Sequence, residues 1–163
     1  MTKEEVIEYL RLEPHPTEGG YFRRTYESSS YTNGLNPPRR CLTSIYYMLT
    51  SDSPHGYLHR NQSDIVHFHH SGSPIRYLII SPEGQVQEKI LGPNLLVGEQ
   101  PQLTVRGGDW KASQLCSGEY GLISEAVSPG FEYEDNHIAS AEELVQLFPD
   151  LAQILDQYIK RLT

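Results

Sequence analysis

Five of the chain's seven histidines crowd into one short stretch. His55, His59, His67, His69 and His70 all fall within the segment HGYLHRNQSDIVHFHHSG. Imidazole is a frequent metal ligand and the side chain that titrates nearest neutral pH. The cluster therefore points to a metal centre, a proton-transfer site or a polar ligand pocket. Side chains alternate across a strand, so a strand over Ile65–His69 places Ile65, His67 and His69 on one face. Asp64, Val66, Phe68 and His70 take the other. His59 and Asn61 share a face of the preceding segment. Two neighbouring strands thus aim His59, Asn61, His67 and His69 into a common interior, while His55 and His70 fall away from it. Three imidazoles with an open position suit zinc, iron, copper or nickel. His59, His67 and His69 are accordingly the metal set if a divalent metal is bound.

The elements that must position these rings are β-strands. From about Gly19 to Phe131, short β-branched and aromatic runs alternate with Gly, Pro, Asn and Ser clusters. The pattern predicts strands over Gly20–Glu27, Cys41–Leu49, Tyr57–Arg60, Ile65–His69, Ile75–Ser81, Val86–Leu91, Gln102–Val105, Lys111–Cys116 and Gly121–Val127. Evenly spaced short strands indicate a sandwich or barrel. Ser28–Arg40 reads as a mobile loop with Arg39-Arg40 a solvated pair. Gly19-Gly20 reads as a tight turn, from which Glu18 reaches either cavity or solvent. One of Arg23 and Arg24 faces the interior by alternation. Asp64 pins a loop or pairs with Arg60, and the acids Glu132, Glu134 and Asp135 pair with a basic residue.

Helices flank this body. Thr2 and Glu5 have capping-box spacing for a helix to about Leu12, stopped by Pro14 and Pro16. Ser140 and Glu143 repeat the spacing before Pro149. Asp150 is expected to cap a final helix with Leu151, Ile154, Leu155, Tyr158, Ile159 and Leu162 on its apolar face.

The whole chain sets bounds. Its 163 residues, 37% hydrophobic, suit one domain, 1–163, with a sizeable core. The net charge of −8 argues against nucleic acid as a partner, because no broad basic surface exists to neutralise phosphate. No segment reaches the length of an apolar membrane span, so no membrane partner is expected. The two cysteines, Cys41 and Cys116, form no metal or redox motif and suit reduced thiols in a cytoplasmic protein.

Longer motifs carry a family resemblance. LEPHPTEGGYFRRTYES (Leu12–Ser28), TSIYYMLTSDSPHGYLHRNQSD (Thr43–Asp64), SPEG (Ser81–Gly84) and VSPGFEYED (Val127–Asp135) together resemble the cupin-5 family. The resemblance implies an all-β double-stranded β-helix, the cupin jelly roll, with short N- and C-terminal helices, usually assembled as a homodimer. It implies no settled activity. Metal cupins carry two histidines one residue apart, then a glutamate and a later histidine. Here His59 matches the first, but Asn61, Ile65 and Lys111 fall on the other three, so the usual cupin site is not expected.

Three functions compete. The first is a small-molecule binding module for a polar ligand, such as a sugar or nucleotide sugar. Its barrel would be lined by Trp110, Tyr46, Tyr77, Phe68, Asn61, His67 and His69. The second is a metal-independent sugar epimerase or isomerase. The segment GYLHRN (Gly56–Asn61) is similar to one in deoxysugar epimerases, whose histidine removes a proton alpha to a carbonyl. That resemblance makes His59 the base, Lys111 or Arg60 the stabiliser of the enolate, and Tyr133 or Tyr47 the acid. The third is a metal-dependent cupin enzyme with His59, His67 and His69 as non-standard ligands.

Overall fold

The structure is a computed structural model describing residues 1–160. Two antiparallel sheets face one another and close into a β-sandwich barrel. One has six strands. In chain order these are β1 (Glu13–Pro14), β2 (Tyr21–Glu27), β3 (Thr43–Thr50), β5 (Asp64–Gly72), β8 (Gln102–Val105) and β10 (Tyr120–Ser128). They lie side by side in the order β1-β2-β3-β10-β5-β8. The other sheet has β4 (His55–Asn61), β6 (Ile75–Ile80), β7 (Val86–Leu91), β9 (Trp110–Leu115) and β11 (Asn136–Ile138), in the order β11-β4-β9-β6-β7. All nine expected strands form, and the jelly-roll class is the expected one. Two strands were not foreseen. β1 and β11 are two and three residues long, too short for period-two alternation to show. Pro14 is tolerated in β1 because that strand is a sheet edge.

Alternation divides the apolar residues between three clusters. Tyr47, Leu49, Ile75, Tyr77, Leu91 and Ile123 pack between the sheets. Leu58, Trp110, Leu155, Tyr158 and Ile159 bury the C-terminal segments against the outside of the five-stranded sheet. Val6, Leu12, Met48 and Leu122 do the same for the N-terminal helix on the other sheet. That helix, α1 (Lys3–Leu10), has the reciprocal Thr2–Glu5 capping box and stops at Arg11 in a left-handed conformation. α2 (Ala141–Leu147) is capped by the Ser140 side chain on the Glu143 N–H.

The expected final helix is broken. Pro149–Leu151 and Asp156–Tyr158 are single 3-10 turns around a short α3 (Ala152–Leu155), and Asp150 caps nothing. The chain bends so that Leu155, Tyr158 and Ile159 can all reach the sheet. Leu162 lies outside the described residues. Arg39 also departs from expectation. It is buried, and its Nε and Nη2 donate to the two Asp135 carboxylate oxygens at 2.6 and 2.9 Å. The Ser28–Arg40 segment is thereby tied to the barrel, with Tyr31 and Arg40 forming a bridge at its base. Among the described residues no helix is long and apolar enough to cross a membrane.

Candidate functional site

A narrow cavity enters the barrel between the two sheets. Its polar lining comes from several elements: His15 and Glu18 from the turn before β2, His59 and Asn61 from β4, and Lys111 and Glu125 from β9 and β10. Phe22, Phe131 and Tyr133 supply aromatic wall.

The turn between β1 and β2 delivers the first pair. Gly19 and Gly20 have φ of +83° and +67°, a region side chains rarely adopt. A Cβ on Gly19 would sit 2.4 Å from the His55 carbonyl, and one on Gly20 would sit 2.6 Å from that of Met48. The glycines let this turn lie flat against β3 and β4. The Tyr57 N–H then donates to Glu18 O at 2.8 Å, and Tyr47 Oη donates to Gly19 O at 3.0 Å. His15 Nδ1 accepts from the Thr17 and Glu18 N–H groups, so its proton resides on Nε2. That nitrogen lies 3.8 Å from Glu18 Oε2.

His59 has the complementary tautomer. Its Nδ1 lies 2.6 Å from the Tyr57 carbonyl oxygen. A carbonyl only accepts, so Nδ1 carries the proton and Nε2 presents a lone pair when the ring is neutral. Nε2 faces Glu18 Oε2 at 3.6 Å. The second Glu18 oxygen, Oε1, accepts from Asn136 Nδ2 at 2.9 Å. Burial pushes the His59 imidazole below its ordinary value, and the Glu18 charge opposes that shift. Burial lowers His15 as well.

Lys111 anchors the opposite wall. Its ammonium donates to His67 Nε2 at 2.9 Å and to Glu125 Oε1 at 3.3 Å. One of its three N–H donors remains for the cavity. Burial alone would raise the Glu125 carboxyl. The Lys111 charge, with the adjacent His67 ring, outweighs it and holds the group well below the usual carboxylate range. His67 is fully buried and stacks edge-on against Tyr77 at 4.9 Å. Burial, then the Lys111 charge, lowers its pKa, against the opposing pull of Glu125 at 3.2 Å.

The expected residues are brought together only in part. His59, Asn61, Lys111 and Tyr133 line one cavity, and His67 braces it from behind through Lys111. Tyr47 is buried in the inter-sheet core with its hydroxyl engaged by Gly19. His69 does not line the cavity. It lies two residues farther along β5, its N–H donating to the Pro101 carbonyl, and the β5 register shifts only after it, at His70. Trp110 and Tyr46 also fall outside. Each is the strand neighbour of a residue that points in, Lys111 and Ile45. Alternation therefore sends them out. Trp110 packs on Phe148 and under Arg60, which removes Arg60 from the interior too. Tyr46 packs toward α1 and His70. Phe68 lies on the outer face of β5 with Val66.

A metal does not fit this donor set. Among the described residues no three His, Cys, Asp or Glu side chains are grouped to hold one. The proposed His59–His67–His69 triad fails because His69 is remote. The His67 nitrogen that would coordinate is instead an acceptor for the Lys111 ammonium, and that cation repels another.

Four contributors were not singled out from sequence. His15 and Glu125 were missed, Asn136 sits on an unforeseen strand, and Arg24 was left unresolved from Arg23. Arg24 lines the cavity, its guanidinium bonded to Glu27 and the Phe131 carbonyl. A signal for Glu125 existed. It is a lone acid two residues from Ile123 and Val127, on the inward face of an otherwise apolar strand.

Comparison with known proteins agrees with this architecture. Residues 4–139 match the Cupin_5 family model, described as cupin superfamily (DUF985). An uncharacterised protein of Saccharomyces cerevisiae, YML079W, is 38% identical over 142 residues, spanning 77% of this chain and 70% of that protein. A hypothetical protein from Leishmania major superposes with a TM-score of 0.91 at 30% identity, covering 99% of this chain and all of that one. Protein SO0799 from Shewanella oneidensis does so with a TM-score of 0.91 at 29% identity, covering 99% of both chains. Oxalate decarboxylase from Bacillus subtilis shares the fold alone, with a TM-score of 0.56 at 15% identity, covering 90% of this chain and 37% of that one. The chain belongs to the Cupin_5 family, DUF985, of the cupin superfamily.

Proposed function

We propose that the barrel cavity binds a small polar ligand of the sugar class and that His59 serves as its proton acceptor. One observation carries the reading. His59 Nε2, made an acceptor by its Nδ1–H bond to Tyr57, opens toward Glu18 at 3.6 Å in a cavity shared with Lys111. Two acceptors facing one another can share a donor on their cavity side, which a ligand hydroxyl or an acidic C–H supplies. The Glu18 carboxylate would stabilise the imidazolium formed on proton transfer. The spare Lys111 N–H would stabilise an enolate oxygen across the cavity, and Tyr133 stands at the rim to return a proton. This chemistry is isomerisation or epimerisation alpha to a carbonyl, and it needs no metal.

The test is solvent exchange. The full chain is incubated with short ketoses in D2O, and loss of the alpha C–H signal is followed by proton NMR. Exchange is expected with the native chain and not with His59→Gln. Exchange persisting in His59→Gln would place the base elsewhere. Saturable ligand binding without exchange would leave the module a binder only.

A further inference from the structure

We infer that the ligand is uncharged and carries adjacent hydroxyls, read by Asn61 and Asn136 as a donor–acceptor pair on one wall of the cavity. This rests on the cavity being the ligand site, as proposed above, and names the class of compound it takes.

The two asparagines are register partners across the antiparallel β4–β11 pair, so their side chains leave the same face with Cβ atoms roughly 5 Å apart. The orientation of each amide is dictated by its other partner. Asn61 Oδ1 accepts from the Ser63 N–H at 2.8 Å, which leaves Nδ2 as the free end. Asn136 Nδ2 donates to Glu18 Oε1 at 2.9 Å, which leaves Oδ1 free. Both free atoms are buried without a hydrogen-bond partner, and Asn61 is only 5% exposed. Burying an amide group without a partner is costly, so a polar group is expected to meet these two atoms. The wall therefore offers one donor beside one acceptor. Adjacent hydroxyls satisfy both, because each hydroxyl donates and accepts. A carboxylate or phosphate oxygen only accepts and would leave Asn136 Oδ1 unmet.

Charge points the same way. Inside the barrel two carboxylates, Glu18 and Glu125, face one ammonium, Lys111. The nearby imidazoles are those of His15, His59 and His67, all shifted toward the neutral form by burial. The lining guanidinium of Arg24 is already paired with Glu27. An anionic ligand would add charge to an interior with no surplus cation. A neutral hydroxylated ketone would not. The narrowness of the cavity also suits a short free sugar rather than a nucleotide-linked one.

The experiment uses the full chain and three probes: D-erythrulose, its 1-phosphate, which keeps the adjacent C3 and C4 hydroxyls, and hydroxyacetone, which lacks them. Binding is read from the His59 ring resonances by NMR titration. D-Erythrulose is expected to bind at least tenfold more tightly than either of the others. Asn61→Asp keeps the acceptor that Ser63 requires and removes the donor. It is expected to abolish the preference for erythrulose over hydroxyacetone. Asn136→Ala, which removes the acceptor, should do the same. Phosphate binding as tightly as the free sugar would overturn the charge argument. A preference surviving both substitutions would overturn the asparagine pair, whose free atoms would then be serving water. Equal binding of erythrulose and hydroxyacetone by the native chain overturns this inference but leaves the cavity as the ligand site. No shift with any probe overturns both.

Discussion

His59 Nε2 and Glu18 Oε2 stand 3.6 Å apart inside the barrel. Glu18 is fixed through its carbonyl to Tyr57 and through its carboxylate to Asn136. His59 is fixed through Nδ1 to the Tyr57 carbonyl. Tyr57 thus holds both members of the pair, which gives the relationship its rigidity.

That pairing sets the direction in which His59 must titrate. Burial lowers the imidazole and the Glu18 charge raises it. Glu18→Gln removes the raising influence, so the His59 pKa should fall further below its ordinary value. An NMR titration of the His59 ring in the two proteins checks this. An unchanged or raised value would mean that Glu18 does not face the ring in solution.

The Lys111–Glu125 pair should behave as a buried ion pair. Removing one partner strands a charge in low dielectric, at a cost of about 3–5 kcal/mol. Lys111→Met alone should therefore destabilise by that order. Lys111→Met with Glu125→Gln should recover most of the loss. Urea unfolding of the single and double variants measures the difference.

Acid should weaken the fold in two stages. His15, His59 and His67 are lowered by burial. The unfolded chain then binds protons first, and stability falls as pH drops below about 6.5, the ordinary imidazole value. Glu125 is also lowered, so its contribution is complete above the ordinary carboxylate value of 4.5 and is lost progressively below it. Urea midpoints from pH 8 to about pH 2.5 should decline through both windows. In Glu125→Gln the stage below 4.5 should flatten while the earlier one persists.

The glycine turn carries the site as well as the fold. Gly19→Ala places a Cβ against the His55 carbonyl at a positive φ. The strain is about 1–3 kcal/mol. Thermal unfolding should show that loss. The His59 titration should lose its dependence on Glu18, because the turn that presents Glu18 has been displaced.

Much of this was legible in the chain, for identifiable reasons. Strands such as Val86–Leu91 and Gln102–Val105 stand between clear turn signals and match to the residue. The same period-two rule that selects Lys111 excludes Trp110, and Ile45 excludes Tyr46. Those two side chains were assigned to the interior for their aromatic character against that rule. His69 keeps the register of His67 on β5, but it lies farther along the strand and does not line the cavity, and alternation fixes the face without fixing the depth. Arg39 was read as solvated because its partner Asp135 lies far along the chain. Glu18 was within reach of sequence reasoning, but its pairing with His59 depends on how the Gly19-Gly20 turn packs, a tertiary fact. β11 was too short to announce itself, and with it went Asn136.

The central claim is that a small polar ligand sits in the barrel cavity against His59 and Glu18. A crystal structure of the full chain with D-erythrulose tests this most directly. The account predicts sugar density in the barrel, with a ligand hydroxyl or the alpha carbon within contact distance of both His59 Nε2 and Glu18 Oε2 and a ligand oxygen on Lys111 Nζ. Sugar bound only on the outer surface, with the cavity holding water alone, would contradict it.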